Sequence, residues 1–479
     1  MKEPVIKDYS SEGRTGYSLP DLDIPDKNLN QIIDQDYIRS EEPELPEVSE
    51  VDVVRHYTNL SSYNYGVDSG IYPLGSCTMK YNPKINEDIA EIEDLTRFHP
   101  YQNEKDVQGI LKIMYELKKD LAAISGMDSI SLQPASGAQG EFTGLLIIRK
   151  YLQEIDSERN KIIVPDSAHG TNPASATMAG FEVVEVSSDE KGMIDIDELK
   201  KEADDDLAGL MITNPNTLGI FEKNILKISD IVHEAGGLVY YDGANMNAIM
   251  GYVKPGNMNL DIIHFNLHKT FSTPHGGGGP GSGPIGVKQY LEPYLPEPLL
   301  KKEKDKYYWD RDRPKSIGKV HSFYGNYQVM LKAYSYIKIL GGRGLKETTE
   351  NAVLNANYLK SELKNIFELP YQENSLHEFV LSAKKEKKEG ISTLNIAKRL
   401  LDYNQYAPTI YFPLIVKEAL MIEPTETENL KTLNKFVDTL KNISREIQKN
   451  PEIVQNAPHS TPVKKLDEAE AARNLNLKW

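Results

Sequence analysis

Short apolar runs alternate with helical patterns between residues 104 and 290, and this alternation restricts the possible fold more than any other feature. The runs occupy residues 161–165, 181–186, 209–213, 237–243 and 261–265. They are apolar at nearly every position, which is typical of strands buried on both faces. Helical patterns separate them, one beginning at Asp195 and another ending at Gly236. We therefore predict an α/β domain with a mainly parallel sheet that is covered on both faces.

The pattern changes after residue 310, where longer helical stretches dominate. Helices are predicted over 326–340, 345–366 and 425–448, the last with Thr425 and Glu428 as its capping pair. Strands are predicted over 378–383 and 418–424, which together with the helices indicate a smaller α+β domain. The predicted division is an extended N-terminal arm (1–60), a large α/β domain (61–310) and a small C-terminal α+β domain with a tail (311–479).

Composition excludes several classes of protein. The 479 residues carry a net charge of −16, so the chain repels nucleic acid and anionic membrane surfaces. The first ten residues lack the apolar core of a signal peptide, and no run is long enough to cross a bilayer. Cys77 is the single cysteine, which fits a reducing compartment. We expect a cytoplasmic protein with no nucleic acid or membrane partner.

Ser136, Gly137 and Ala138 follow a short apolar run and begin a helical pattern. Free backbone N–H groups and the positive end of the helix suit an anion at such a place. Gly137 permits close approach of the backbone, and Ser136 offers a hydroxyl group. The alternative is an ordinary helix capped by serine, which this segment alone would favour.

His169 and Asp242 each follow an apolar run, and ligands of open α/β sheets bind at the carboxyl ends of strands. His169 could stack on a planar ring or move a proton, or the loop backbone could simply satisfy it. Burying the Asp242 carboxylate costs several kcal/mol unless it is paired, and a protonated cofactor nitrogen would pair it. A helix-capping aspartate is an equally good reading of Asp242.

Lys269 follows the next apolar run, 27 residues after Asp242, which leaves room for one crossover between neighbouring strands. A lysine amine in an apolar or cationic pocket loses its proton more easily and can attack an aldehyde. The glycines after it permit tight turns. Neither a P-loop nor a dinucleotide motif fits this segment, and His264 and His268 lack a metal-binding frame, so we expect no metal.

These four features together match pyridoxal phosphate, which has a phosphate, a planar ring, a pyridine nitrogen and an aldehyde. Asp242 would keep the pyridine nitrogen protonated, and Lys269 would hold the aldehyde as an imine. This reasoning does not separate one amino acid decarboxylase or lyase from another. A non-catalytic scaffold related to such enzymes is a third alternative, although the presence of Lys269 argues against it.

Several long stretches resemble one known family, the P-protein of the glycine cleavage system, which acts as glycine dehydrogenase (decarboxylating). The stretches are residues 72–83, 134–145, 166–176, 241–248, 266–287, 341–359 and 407–428. The resemblance implies a fold type I pyridoxal phosphate oxidoreductase. The chain looks like the lysine-bearing half of the long form, that is, subunit 2 of the two-chain form. A partner subunit 1 in an α2β2 heterotetramer is then expected.

The resemblance also implies a reaction and a set of site residues. Glycine loses CO2, and its aminomethyl group passes to the lipoyl arm of the H-protein. Lys269, Asp242 and His169 are the expected catalytic residues. The expected cofactor-binding residues are Ser136, Gly137, Ala138, His169, Thr217, Asp242, Ala244, His268 and Lys269. Residues that could approach glycine or the lipoyl arm are Tyr72, Ser76, His99 and Asn266.

One position departs from the family pattern. The loop before Thr217 often carries Pro-Ser-Thr in the family, whereas this chain has Pro215, Asn216 and Thr217. Because an amide replaces a hydroxyl group, we assign no role to Asn216.

Overall fold

The computed structural model describes residues 3–41, 43–276 and 281–476. Part of the glycine-rich segment after Lys269, for which tight turns are predicted, lies outside the described residues. The chain divides into two compact units, the described parts of Met1–Ser69 with Pro458–Trp479, and Gly70–Ala457. The predicted division at residues 60/61 and 310/311 stays a prediction.

The regular elements of the described residues are as follows. The α-helices are α1 (Glu50–Ser61), α2 (Lys84–Ala90), α3 (Glu93–Thr96), α4 (Gln108–Ser125), α5 (Gly137–Glu154), α6 (Thr171–Met178), α7 (Ile196–Glu202), α8 (Ile225–Glu234), α9 (Tyr327–Leu363), α10 (Lys384–Lys388), α11 (Thr393–Asp402), α12 (Leu430–Lys449), α13 (Pro451–Gln455) and α14 (Glu468–Arg473). The strands are β1 (Ser129–Ser131), β2 (Lys161–Pro165), β3 (Glu182–Val186), β4 (Leu207–Thr213), β5 (Leu238–Gly243), β6 (Ile262–Phe265), β7 (Ile285–Val287), β8 (Leu299–Glu303), β9 (Lys306–Asp310), β10 (Phe379–Ser382), β11 (Thr409–Ile410) and β12 (Ala419–Ile422).

A seven-stranded sheet in the order β1-β7-β6-β5-β4-β2-β3 forms the centre of the larger unit. Strands β2 to β6 pair in parallel, and β7 is antiparallel to both of its neighbours. The mainly parallel sheet predicted from the apolar runs is therefore confirmed. Because β5 and β6 are adjacent and parallel, the segments that follow them meet at one edge of the sheet.

Both faces of the inner strands β2, β4, β5, β6 and β7 are buried, which explains why these strands are largely apolar, whereas the edge strand β3 is partly exposed. Val239 and Tyr241 of β5 pack into a cluster with α4, α8 and the first half of α9. Leu238 and Tyr240, which point the other way, pack with α5 and α6. Every residue of β5 is buried as a result.

Glycines on one side of α5 bring this helix unusually close to the sheet. A Cβ atom added at Gly144 would lie 2.3 Å from the Tyr240 ring, and one at Gly137 would lie 2.2 Å from Asn266 Oδ1. Contacts this short are impossible for a larger residue without movement of the helix or the sheet. The glycines therefore fix the N-terminus of α5 over the ends of β5 and β6.

The larger unit contains a second, separate sheet of three antiparallel strands in the order β10-β12-β11. Its core includes Phe379 and Ile422, which pair across β10 and β12, together with side chains of α9, α11 and α12. The helix α9 is interrupted at Gly341, whose φ of 59° lies in the left-handed region. The two separate helices predicted over this region correspond to its two halves.

Helix starts were predicted at Asp195 and at Thr425 as well as at Ser136, and of the first two the structure supports only Asp195. Asp195 caps α7, and its side chain accepts hydrogen bonds from the N–H groups of Asp197 and Glu198. The prediction for α12 is wrong, because the cap is Asn429, whose side chain accepts from the Thr432 N–H group. Thr425 has a φ of 67°, in the left-handed region, so the backbone at the predicted start is not yet helical. Asparagine serves this role as well as threonine does.

The smaller unit contains little regular structure before α1. Residues 3–49 form three short 3-10 turns, and large apolar side chains such as Tyr17, Leu19 and Tyr37 are exposed. Ser49 caps α1, and Glu3 accepts hydrogen bonds from Tyr9 and Asn59. In the described part of the chain, no helix combines the length and the apolarity needed to span a bilayer.

Candidate active site

A cavity of about 260 Å³ lies at the carboxyl ends of β4, β5 and β6. Its lining residues are Ser76, Ser136, Gly137, Ala138, Glu141, His169, Thr171, Thr213, Thr217, Asp242, Ala244, Asn245, His264, Asn266, His268 and Lys269. The structure thus brings together all nine residues that the sequence analysis assigned to cofactor binding. These nine residues come from five separate segments, so only the fold could assemble them.

The N-terminus of α5 forms one end of the cavity. Ser136 caps the helix, and its hydroxyl oxygen accepts a hydrogen bond from the Gln139 N–H group at 3.1 Å. Gly137 and Ala138 occupy the first turn, where the N–H groups of a helix have no internal partner. These N–H groups and the positive end of the helix favour a bound anion.

His268 lies beside this anion-favouring end and is neutral. Burial lowers the pKa of His268 to about 3, and the nearby His275 and Lys269 contribute in the same direction. Its Nδ1 atom accepts a hydrogen bond from the Ser282 N–H group at 3.3 Å. Nε2 of the neutral ring then carries the proton and can donate it to an acceptor in the cavity.

Asp242 and Lys269 reach the cavity from neighbouring strands. Asp242 pairs with His264 in the register of β5 and β6, and Lys269 follows β6 by four residues. Burial alone would raise the pKa of Asp242, but His264, Lys269 and hydrogen bonds lower it below its usual range. Asp242 accepts from the Ala244 N–H group at 2.9 Å and from Asn172 Nδ2 at 3.2 Å, and it is ionised.

Glu141 lies next to Asp242, and the sequence analysis missed it. Asn172 Nδ2 joins the two acids, donating to Glu141 at 2.7 Å and to Asp242 at 3.2 Å. Burial and then the Asp242 charge raise the pKa of Glu141 to about 8, so this carboxyl group is protonated at neutral pH. The sequence gives only a weak signal for Glu141, its position one turn after the start of α5. A glutamate at such a position ordinarily faces water, so its burial was not expected.

His264 also was missed as a site residue. Its Nδ1 atom lies 2.6 Å from the Tyr240 hydroxyl group, and its Nε2 atom lies 3.4 Å from Asp242. Burial lowers the pKa of His264, although the Asp242 charge opposes this. Nε2 accepts a hydrogen bond from Asn266 Nδ2 at 2.8 Å, so the neutral ring lies against Asp242 without donating a proton to it.

His169, Ala244 and Thr217 lie on the walls of the same cavity. Partial burial lowers the pKa of His169, with Asp242 opposing and Lys269 adding to the shift. The His169 ring contacts Phe412 edge to face, with ring centroids 5.7 Å apart. Thr217 donates its hydroxyl proton to the Ser167 carbonyl oxygen at 2.6 Å, so it can only accept a further hydrogen bond.

The segment that contains Ser76 links the cavity to the three-stranded sheet. The Ser76 N–H group donates to Glu378 at 2.8 Å, and the Thr78 N–H group donates to Glu423 at 3.0 Å. Both glutamates are buried, and Lys269 influences the pKa of each. Neither glutamate was singled out from the sequence, although Glu378 directly precedes β10 and Glu423 directly follows β12.

Lys80 fixes the backbone that follows Lys269. Its buried ammonium group donates to the Thr270 carbonyl oxygen at 2.7 Å, to Tyr336 at 3.0 Å and to Glu426 at 2.6 Å. The position of Lys269 in the cavity is thereby tied to α9 and to the segment after β12.

The structure brings only two of the four residues expected near glycine or the lipoyl arm to the cavity. Ser76 and Asn266 line it. Tyr72 instead stacks on Tyr406 with ring centroids 3.9 Å apart, and His99 lines a different cavity beside Phe323. Asn216, to which no role was assigned, donates to the Gly192 carbonyl oxygen at 2.6 Å and holds its own loop.

Comparison with known proteins identifies the family. A family model described as "Glycine cleavage system P-protein" matches residues 20–309, and another described as "Glycine dehydrogenase, C-terminal domain" matches residues 348–465. The chain belongs to the glycine cleavage system P-protein family. The resemblance stated from the sequence motifs is therefore confirmed.

Relatives in this P-protein family match along their whole length. A protein from Caldanaerobacter subterraneus named "Probable glycine dehydrogenase (decarboxylating) subunit 2" is 59% identical, over 99% of this chain and 98% of the relative. A protein of the same name from Oceanobacillus iheyensis is 57% identical, with the same coverage.

Solved structures of similar fold include a glycine decarboxylase (P-protein) of the glycine cleavage system. It aligns with a TM-score of 0.73 at 20% identity, covering 87% of this chain and 94% of that one. A glutamate decarboxylase from Lactobacillus brevis aligns with a TM-score of 0.66 at 13% identity, covering 86% and 96%. The predicted fold class is confirmed by these likenesses and by the mainly parallel sheet.

Proposed function

We propose that this chain binds pyridoxal phosphate and catalyses the decarboxylation of glycine. One observation carries the proposal: an ionised Asp242, the amine of Lys269 and a free helix N-terminus converge on a single cavity. The names of the full-length relatives, "glycine dehydrogenase (decarboxylating) subunit 2", support glycine as the substrate.

The residues of the cavity fit each part of this cofactor. The N-terminus of α5 and the neutral His268 suit the phosphate group. Asp242 suits the protonated pyridine nitrogen, and His169 and Ala244 would pack on the two faces of the ring. Thr217 can accept a hydrogen bond from the phenolic oxygen, and Lys269 is the nucleophile for the aldehyde.

When bound, pyridoxal phosphate accepts the electron pair that the carboxylate leaves behind on the α-carbon. The chain's own groups prepare the site for that charge. Asp242 remains ionised, because Asn172 and the Ala244 N–H group donate hydrogen bonds to it, so it can hold a proton on a neighbouring nitrogen. Glu141 is neutral and keeps a second negative charge away from Asp242.

The finer parts of the function concern partners. We infer that the aminomethyl group passes to the lipoyl arm of the H-protein, and that a subunit 1 completes an α2β2 heterotetramer. The name "subunit 2" of the relatives and the family description support this. A reducing location such as the cytoplasm fits the single cysteine, Cys77.

The test is exchange of labelled bicarbonate into the carboxyl group of glycine, with the H-protein and subunit 1 present. The chain should support exchange with glycine and should show the visible absorption band of a lysine-bound cofactor. Lys269→Ala should lose both. Lys227→Ala, a matched change on the exposed face of α8, should keep both.

Two results would contradict the proposal. A purified chain that remains colourless with added pyridoxal phosphate would exclude the cofactor and favour a scaffold role. Exchange with another amino acid but not with glycine would instead indicate a different decarboxylase or lyase.

A further inference from the structure

Glu378 and Glu423 lie side by side at the edge of the three-stranded sheet nearest to Lys269. Phe379 of β10 pairs with Ile422 of β12, so the two glutamates occupy the next position of the same antiparallel register. Oxygen atoms of the two carboxyl groups lie within 4.8 Å of each other and of a His377 nitrogen. Both side chains are completely buried.

The two carboxyl groups receive unequal numbers of hydrogen bonds. Glu423 accepts three, from the Thr78 N–H group at 3.0 Å, the Thr78 hydroxyl group at 2.7 Å and Asn247 Nδ2 at 3.1 Å. Glu378 accepts one, from the Ser76 N–H group at 2.8 Å, and its Oε1 atom has no hydrogen-bond partner among the described residues. Glu423 thus has the surroundings of a carboxylate, and Glu378 those of a carboxylic acid.

The titratable groups that face this pair are Lys269, Cys77 and His377. Burial raises the pKa of the Cys77 thiol, so it stays uncharged. Burial lowers the pKa of His377 to about 3, so the ring is uncharged as well. Burial raises the pKa of both acids. Hydrogen bonds from Thr78 and Asn247 oppose this shift at Glu423, whereas the Glu423 charge adds to it at Glu378, whose pKa lies well above its usual range. Among the described residues, Lys269 is therefore the cation that faces the pair.

Burying two ionised carboxylates side by side costs far more free energy than burying one, because no water screens the repulsion between their charges. We propose that Glu378 and Glu423 share a single proton, that this proton resides on Glu378, and that the pair presents one negative charge to Lys269. The proton has a definite place at Glu378 Oε1, the oxygen atom without a partner.

The pair acts on Lys269 through the electric field, because neither glutamate lines the cavity. One negative charge balances the ammonium group of Lys269 whenever its amine is not bonded to another molecule. Glu378 and Glu423 are therefore positioning residues, because the negative charge of the pair acts on the Lys269 amine without contacting it. The importance of this pair for catalysis rests on the proposed function. The assignment of one negative charge to the pair does not depend on that function.

The charge of the pair can be determined by measuring how substitutions of the two acids change the reactivity of Lys269. The full-length chain is used, after any bound cofactor has been removed with hydroxylamine. The rate at which an amine-directed reagent labels Lys269 is followed against pH by peptide mass spectrometry. Glu378→Gln removes no charge if Glu378 is protonated, so labelling at neutral pH should change less than about threefold. The double variant Glu378→Gln/Glu423→Gln removes one charge and should speed labelling by about tenfold or more.

The other outcomes would overturn the proposal. A large acceleration in Glu378→Gln alone would show that both acids are ionised. No acceleration in the double variant would show that the pair carries no charge. Asp261→Asn is the matched control, because Asp261 is a buried carboxyl group that precedes β6 at its other end. Its substitution should leave the labelling of Lys269 unchanged.

Infrared spectroscopy locates the proton without any labelling. The wild-type chain at neutral pH should show the carbonyl stretch of protonated carboxyl groups, and Glu378→Gln and Glu141→Gln should each remove a separate component. A spectrum in which Glu378→Gln removes nothing would overturn the assignment. Elemental analysis could instead find a stoichiometric metal ion that is lost in Glu378→Gln. That result would show that a metal ion, not a proton, lies between the two acids, and it would also overturn the assignment.

These measurements use neither glycine nor the cofactor. If glycine exchange fails while the labelling and infrared results are as expected, the proposed function is wrong and the charge assignment remains. If exchange succeeds while the double variant labels like the wild type, the charge assignment is wrong and the function remains.

Discussion

Two pairs of buried acids flank Lys269, one belonging to the large sheet and one to the small sheet. Asp242 at the end of β5 lies beside Glu141 of α5, and Glu423 after β12 lies beside Glu378 before β10. In each pair the acid with several hydrogen-bond donors has the surroundings of an anion. Its neighbour, with one donor, has a raised pKa.

The pairs differ in what they contact. Glu141 and Asp242 line the cavity, whereas Glu378 and Glu423 lie behind it. Glu378 is linked to the cavity lining by the Ser76 N–H group, and both acids act on Lys269 through the electric field. The comparison shows that the same arrangement, one charge and one proton on two buried acids, can serve direct contact with a ligand or distant control of a nucleophile.

The largest expected effect tests whether an acid that lines the cavity contributes more to activity than the acid pair that acts on Lys269 from a distance. Asp242→Asn removes the charge that would pair with a cofactor nitrogen, and the loss of glycine exchange should be about 10²- to 10³-fold, as for other single preorganised groups. The double variant Glu378→Gln/Glu423→Gln should lose less. If the double variant loses more activity than Asp242→Asn, the contrast between the two pairs fails.

The second effect concerns stability at the small sheet. Glu423→Ala leaves the Thr78 N–H group, the Thr78 hydroxyl group and Asn247 Nδ2 without their acceptor, which should cost about 2–3 kcal/mol of the free energy of unfolding. Urea unfolding measures it. Glu452→Ala on α13, at an exposed position, is the control and should be neutral. Equal stability of the two variants would contradict a carboxylate at Glu423.

The third effect is a difference in the pH dependence of stability. The pKa of Glu141 is raised from 4.5 to about 8 by folding, so the folded chain holds a proton that the unfolded chain releases in this window. Stability should therefore fall as pH rises from 4.5 to about 8, by at most about 1.4 kcal/mol per pH unit.

Glu141→Gln should flatten this slope, and Glu378→Gln should flatten it in the same direction, because its pKa also is raised. Asp242 contributes the opposite sign, since its lowered pKa adds stability above its ordinary value of 3.8 that is lost as pH falls. Unfolding free energies of the three chains across the window check the signs. A slope unchanged in Glu141→Gln would show that Glu141 is ionised.

The smallest effect isolates one hydrogen bond of the small-sheet pair. Thr78→Val removes the hydroxyl group that donates to Glu423 at 2.7 Å but keeps the Thr78 N–H donor and the shape of the side chain. The melting temperature should fall by an amount equivalent to about 1 kcal/mol, and Thr78→Ser should restore most of it. A Thr78→Val chain as stable as the wild type would show that Glu423 does not need this donor.

Much of the large sheet was predictable because its strands are continuously apolar and its helices carry local start and stop signals. Asp195 as a cap and Gly236 as a stop are examples in which the signal lies within a few residues. The start of α12 was misplaced because Thr425 and Asn429 are both good capping residues. Only the backbone conformation, with a φ of 67° at Thr425, decides between them.

The sequence by itself determined the family and the ligand-facing ends of the strands, because apolar periodicity and long motifs are local properties of the chain. Only the tertiary structure decided which acids are charged. The protonation of Glu141 and the hydrogen bonds of Glu378 and Glu423 depend on burial and on neighbours far away in sequence. Electrostatic interactions act through space, and in a low-dielectric interior they are strong enough to override the ordinary behaviour of a side chain.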